Sequence, residues 1–98
     1  MARAMQWVDV FKALLKGGYI RAETDSWSGK TKYTVHERIS SRQLGKTLGH
    51  ITKHQFEELG SRGIIDMVED PETGEPNIHE DKYGNTWNYW ELQQMDEV

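Results

Sequence analysis

The sequence predicts an α+β fold with three helices, a small antiparallel sheet and an extra hairpin between the first two helices. Three observations predict this class. Apolar residues recur at helical spacing near the N-terminus, and two central stretches carry the same helix-start pattern. Several other stretches alternate apolar and polar residues, as strands do.

Composition favours one folded domain over residues 1–98. Charged residues make up 29% of the chain, but four Trp, four Tyr and two Phe supply enough apolar area for a core. The absence of cysteine excludes a disulfide framework and a thiolate metal site. No apolar run is long enough to span a membrane, and the N-terminus lacks the order of a signal peptide. We therefore expect a soluble cytoplasmic protein.

The charge is unevenly distributed along the chain. Residues 1–65 contain eleven Lys or Arg and six Asp or Glu, a balance of +5, whereas residues 66–98 contain one Lys and ten Asp or Glu, a balance of −9. The two parts are expected to face different surroundings, or each other.

The N-terminal third predicts a helix and a hairpin. Residues 5–16 form an amphipathic stretch whose apolar stripe is Trp7, Val8, Phe11, Leu14 and Leu15, and Gly17-Gly18 ends it. Residues 19–24 and 32–37 alternate as strands around the turn-rich stretch DSWSGK.

Two capping patterns predict the second and third helices. Ser40 and Thr52 are each followed three residues later by a glutamine, Gln43 and Gln55, and each is preceded by an isoleucine. These patterns predict helices over residues 41–48 and 53–61, with Gly49 in the turn between them and Gly63 after the second. Strands at 64–69 and 86–92, joined by a long loop, complete the prediction.

The order of these elements resembles the winged helix-turn-helix superfamily. The likeness is specific over residues 41–65, where a leucine-containing helix, a turn and a second helix lead into Ser61-Arg62-Gly63-Ile64-Ile65. It implies a protein that binds double-stranded DNA, such as a small transcriptional regulator or a replication accessory, with the helix at 53–61 as recognition helix. The implied DNA-binding residues are Arg42, Lys46, Thr52, Lys53, His54, Gln55 and Arg62.

The acidic C-terminal part supports an alternative function. A DNA-reading wing normally carries Lys or Arg, whereas the loop at 70–85 is rich in carboxylates. The alternative is a protein-interaction domain, such as a phage-type inhibitor or DNA mimic, that binds a basic protein or a second copy of itself. Its predicted binding residues are Glu72, Glu75, Glu80, Asp81, Trp87 and Tyr89. Trp27, in the predicted hairpin turn, is also difficult to bury in so small a core.

The sequence contains no pattern that indicates catalysis, a metal site or a cofactor. His50 and His54 have the spacing of two metal ligands on a helix, but Thr52 falls between them as a cap and no third ligand is near. No nucleophile motif or nucleotide fingerprint is present, so we expect no enzymatic activity, no metal and no cofactor.

Overall fold

The computed structural model describes residues 3–40, 43–68 and 79–93. Within these ranges the chain forms two helices and six strands. In chain order they are α1 (Trp7–Leu15), β1 (Tyr19–Thr24), β2 (Thr31–Ser40), β3 (Gln43–Ile51), α2 (Lys53–Ser61), β4 (Ile65–Val68), β5 (His79–Glu80) and β6 (Thr86–Leu92). The predicted class with three helices and a small sheet is therefore wrong, although the fold is α+β.

The strands form one antiparallel sheet in the order β3-β2-β1-β6-β4. Strand β5 pairs with the first residues of β6 and β4 pairs with its last residues, while β1 occupies the other edge of β6. Strands β4 and β5 thus lie end to end along one edge. The loop predicted at 70–85 contains β5 and a turn, and its first nine residues fall outside the described ranges.

The segment predicted as the second helix is strand β3. Tyr33 pairs with Ile51 and Val35 pairs with Gly49, so the segment extends the sheet beyond β2. Gly45 inside the predicted helix would have cost about 1 kcal/mol relative to alanine. In the strand, a Cβ at Gly49 would lie 2.7 Å from the Cγ atom of Met5, so a larger residue here would displace the Met5 side chain. The predicted turn at Gly49 is also wrong, because Gly49 lies within β3 and pairs with Val35.

The other predicted elements are close to their observed bounds. Helix α2 and strands β1 and β6 have the predicted bounds. Gly17 and Gly63 adopt the left-handed conformation, with φ of +89° and +69°, and each follows a helix as predicted.

Helix α1 contacts the sheet with a different side from the one predicted. Its buried residues are Val10, Ala13 and Leu14, whereas Trp7 and Leu15 from the predicted stripe are 39% and 73% exposed. Only Leu14 of that stripe is buried. The prediction failed because α1 is apolar on both sides, so periodicity alone could not identify the inner one.

Both helices pack against one face of the sheet. The core between them and this face consists of Val10, Ala13, Leu14, Ile20, Val35, Ile51, Leu59 and Ile65. Side chains alternate along a strand, so residues next to these core positions point to the other side. We call that side the open face. Its central residues are Tyr19, Arg21, His36, Trp87 and Tyr89.

Candidate binding surfaces

The helix implied as the recognition helix, α2, uses two of its implied DNA-binding residues for its own structure. The Oγ1 atom of Thr52 accepts a hydrogen bond from the Gln55 backbone N–H at 3.1 Å. The Oε1 atom of Gln55 accepts from the Thr52 N–H at 2.9 Å. The Nε2 atom of Gln55 donates to the carbonyl oxygen of Met5 at 2.8 Å. The predicted capping box is confirmed, and these groups are engaged within the fold.

The charged residues of α2 neutralise one another. The Nζ atom of Lys53 lies 3.7 Å from a carboxylate oxygen of Glu57, and the Nε atom of Arg62 lies 3.0 Å from a carboxylate oxygen of Glu58. Two cations beside two carboxylates leave this helix without a net positive side. His54 is exposed beside them.

The remaining implied DNA-binding residues, Lys46 and Arg42, are not part of α2. Lys46 is exposed on β3, and Arg42 lies outside the described residues. Arg38, another cation of the β2–β3 hairpin, lies on the open face, over the ring of Tyr19.

The predicted acidic surface is only partly described. Glu72 and Glu75 lie outside the described residues, and Glu80 is exposed on β5. The Asp81 carboxylate accepts hydrogen bonds from the backbone of Tyr83 at 2.9 Å and from the backbone and side chain of Asn85 at 3.0 and 3.1 Å. Partial desolvation raises the pKa of Asp81, but these hydrogen bonds outweigh it and hold the pKa below its usual value. Asp81 thus organises a turn.

Trp87 and Tyr89 lie on the open face, where other residues cover them. Tyr89 is only 4% exposed and meets Tyr19 edge to face, with 6.4 Å between the ring centroids. The Arg21 guanidinium lies over the Trp87 ring, 5.4 Å from its centroid. The two rings predicted to anchor a partner are therefore part of the packing of the sheet.

The open face also holds a histidine and a tyrosine with shifted pKa values. Burial, together with the nearby positive charge of Arg21, lowers the pKa of His36. The hydroxyls of Thr34 and Thr47 lie 2.8 and 3.3 Å from its two ring nitrogens. Burial raises the pKa of Tyr19, and the charge of Arg38 opposes this shift. These residues form a packed polar layer.

The most exposed aromatic side chain is Trp27, at 96% exposure in the loop between β1 and β2. The loop is well ordered by hydrogen bonds to Asp25. Its carboxylate accepts from the Trp27 backbone N–H at 3.0 Å and from the Ser28 hydroxyl at 3.1 Å. The Asp25 carbonyl oxygen also accepts from the Gly29 N–H at 2.8 Å. A fixed loop thus presents an indole to solvent.

Hydrogen bonds join this loop to the turn between β5 and β6. The Ser26 N–H donates to the Asn85 side-chain oxygen at 2.8 Å, and the Ser26 hydroxyl donates to the Tyr83 carbonyl at 2.7 Å. Tyr83 is 70% exposed, and the Nζ atom of Lys82 lies 5.1 Å from the centroid of its ring. Residues 25–30 and 81–85 therefore form one unit, which we call the loop-tip surface.

Sequence reasoning missed the loop-tip surface as a site. A tryptophan among turn-forming residues was the available signal, because a turn tip offers no core to bury it. No sequence pattern predicted the hydrogen bond between Ser26 and Asn85, because the two residues are 59 positions apart in the chain.

No group of three or more His, Asp or Glu side chains that could hold a metal occurs among the described residues. In the same ranges, no helix has both the length and the apolar character needed to cross a membrane. Comparisons with protein-family models, curated proteins and solved structures find no match to this chain. The geometry of its surfaces is therefore the basis for assigning a function.

Proposed function

We propose that this protein is a non-enzymatic module that binds a basic protein through the loop-tip surface. The observation that carries the proposal is the exposure of Trp27 in a loop fixed by hydrogen bonds. Tryptophan and tyrosine dominate the energetics of protein interfaces, where they act as anchors buried by the partner. A loop that is already ordered loses little conformational freedom on binding, so more of the contact energy appears as affinity.

The composition of the loop-tip surface is typical of a protein-binding loop pair. Residues 25–30 are Asp, Ser, Trp, Ser, Gly and Lys, and residues 81–85 are Asp, Lys, Tyr, Gly and Asn. Antibody loops use the same combination, in which Tyr and Trp supply rigid contact area and Ser, Gly and Asn supply hydrogen bonds. Trp27 and Tyr83 are the anchors in this proposal.

The excess of carboxylates in the C-terminal part of the sequence favours a basic partner. Glu80 is exposed on β5, next to the turn at 81–85. Residues 66–98 contain ten Asp or Glu and one Lys. A carboxylate-rich segment attracts a positively charged surface.

Duplex DNA is the competing partner, and two observations count against it. The charges of Lys53 and Arg62 are neutralised by neighbouring glutamates, and the side chains of Thr52 and Gln55 are engaged in the capping box. Phosphate neutralisation by free cations supplies most of the affinity of non-specific DNA binding. Helix α2 offers few such cations.

The test compares matched variants in both kinds of binding. Trp27→Ala with Tyr83→Ala removes the anchors, and Leu48→Ala removes an exposed apolar side chain on β3 as the control. Wild type and the control are expected to capture the same basic protein from an extract of the source organism. The double variant should lose it, and titration of the purified partner should show a Kd that is weaker by more than about 30-fold.

Titration of labelled duplex DNA at low salt distinguishes DNA binding from binding of a basic protein. Binding that falls steeply with salt, weakens in Lys53→Ala or Arg62→Ala and is unchanged in the double variant would replace this proposal with DNA recognition by α2.

A further inference from the structure

Helix α1 has a second apolar side that no described residue covers. Val8 and Leu15 form its crest, at 57% and 73% exposure, and Trp7 is 39% exposed beside them. Phe11 stacks on Trp7 with 5.9 Å between the ring centroids. Together these side chains present on the order of 300 Å² of apolar surface, which is comparable to the largest apolar patch on a typical monomer, a patch that is often functional.

A groove runs beside this crest, between α1 and α2. Its volume is about 480 Å³. Its lining is apolar at Trp7, Phe11, Leu59 and Ile64 and polar at His54, Glu58 and Arg62. The groove lies along the first half of α1, whereas Leu15 projects from the last residue of the helix. One helix therefore carries a recess at one end and a projection at the other.

We propose that this side of α1 binds a second copy of the chain, with the two α1 helices antiparallel around a two-fold axis near Lys12. In this arrangement Leu15 of each copy lies against Val8 and the groove beside Trp7 of the other. A two-fold axis makes both contacts twice, as a self-complementary interface requires. The inference is independent of the proposed function, because it uses neither loop of the loop-tip surface.

Charge on the flank of α1 selects the antiparallel direction. Asp9, in the first turn, and Lys16, just after the last, line the same cleft on one side of the helix, with Lys12 between them. Lys12 lies at the height of Lys12 of the other copy in either direction, so only Asp9 and Lys16 distinguish the two arrangements. Antiparallel packing around a two-fold axis places this flank beside the same flank of the other copy. Asp9 of each copy then faces Lys16 of the other. A parallel pair would place like charges at the same height and lose both contacts.

The expected dimer is weak and depends on concentration. Two helices of nine residues bury less surface than a standard interface of about 800 Å² per partner. Sedimentation velocity over a concentration series should show the mass rising from that of one chain, 11.4 kDa, toward twice that value. Leu15→Lys should weaken association at least tenfold. Tyr83→Lys, at a side chain that is 70% exposed on the loop-tip surface, is the matched control and should leave association unchanged.

Cysteine cross-linking tests the geometry, since the chain contains no cysteine of its own. Lys12→Cys places a thiol near the two-fold axis, where it should form a disulfide with itself under mild oxidation. Val8→Cys and Leu15→Cys should cross-link when the two variants are mixed, and neither should cross-link alone. Lys46→Cys, exposed on β3, is the control and should form no disulfide-linked dimer.

Three results would overturn the inference. The first is a mass of one chain at all concentrations, and the second is association that Leu15→Lys leaves intact. The third is efficient self-cross-linking of Val8→Cys, which would indicate a parallel pair. Trp27→Ala should dimerise like the wild type, so failure of the loop-tip proposal would leave this result unaffected.

Discussion

Two pairs of aromatic residues in this protein have the same composition, one Trp and one Tyr, and different exposure. Tyr89 and Trp87 lie on the open face, where Tyr19 and Arg21 cover them. Trp27 and Tyr83 lie on turns, at 96% and 70% exposure. The difference shows that a ring on a strand is covered by its neighbours across the sheet, whereas a turn tip has no such neighbours. Aromatics on turns are therefore the better candidates for binding.

The largest expected effect tests the structural pair. Tyr89→Ala should reduce the free energy of unfolding by about 3–5 kcal/mol, because it removes a ring that is 4% exposed and its edge-to-face contact with Tyr19. Urea denaturation followed by circular dichroism measures the change. Tyr83→Ala is the matched control and should change the free energy by less than about 0.5 kcal/mol. Equal losses of unfolding free energy in Tyr89→Ala and Tyr83→Ala would contradict the difference between the two aromatic pairs.

An intermediate effect is expected at the link between the two loops. Asn85→Ala removes the acceptor of the Ser26 N–H and a donor to Asp81, so it should destabilise the protein by about 1 kcal/mol. The same variant should make the Trp27 loop more mobile, which backbone NMR order parameters would detect. Lys82→Ala keeps both bonds and should leave the order parameters at the wild-type level.

A smaller effect depends on pH and tests the polar layer of the open face. The pKa of His36 is lowered in the folded state relative to its ordinary value of 6.5, so the unfolded chain binds a proton first as the pH falls. His36 therefore contributes stability above pH 6.5, and that contribution is lost as the pH falls toward the lowered folded-state pKa. Thermal unfolding at pH 7.5 and 5.5 should show a smaller difference in Tm for His36→Gln than for the wild type. An identical difference in both proteins would contradict the assignment.

The smallest effect on stability is expected at Trp27. Trp27→Ala should change the free energy of unfolding by less than about 0.5 kcal/mol, because the side chain is 96% exposed. It should nevertheless weaken partner binding by about 2 kcal/mol or more, about 30-fold in Kd. Denaturation and calorimetric titration of the same preparation measure both quantities. A large loss of stability with unchanged affinity would reverse the roles of the two aromatic pairs.

The limits of sequence reasoning are clearest where one pattern has two outcomes. Thr52 and Gln55 form the predicted capping box at the start of α2, whereas the matching Ser40 and Gln43 pair with each other across β2 and β3. A capping box contributes only about 1 kcal/mol. Pairing with the edge of β2 and the burial of Ile51 outweigh it in the first segment. Local signals therefore located α2 but could not exclude a strand at 43–51.

The alternation of side chains along β6 was predictable from the sequence, whereas the contacts that cover its rings were not. The bounds of β6 and the alternation of Trp87 and Trp90 between its faces were predictable, because the period of a strand is two. Which of these rings would be covered depended on Arg21 and Tyr19, far away in sequence. The joining of two turns by Ser26 likewise depends on the completed sheet.

The end-to-end placement of β4 and β5 has a consequence for protein engineering. Val68 and His79 pair with Tyr89 and Trp87, so the chain departs from β6 and rejoins it at neighbouring points. Residues can be added or removed between these points without altering the register of the sheet. Doubling the length of such a connection costs only about 0.6 kcal/mol of closure entropy. This position can therefore accept a foreign peptide or an inserted domain.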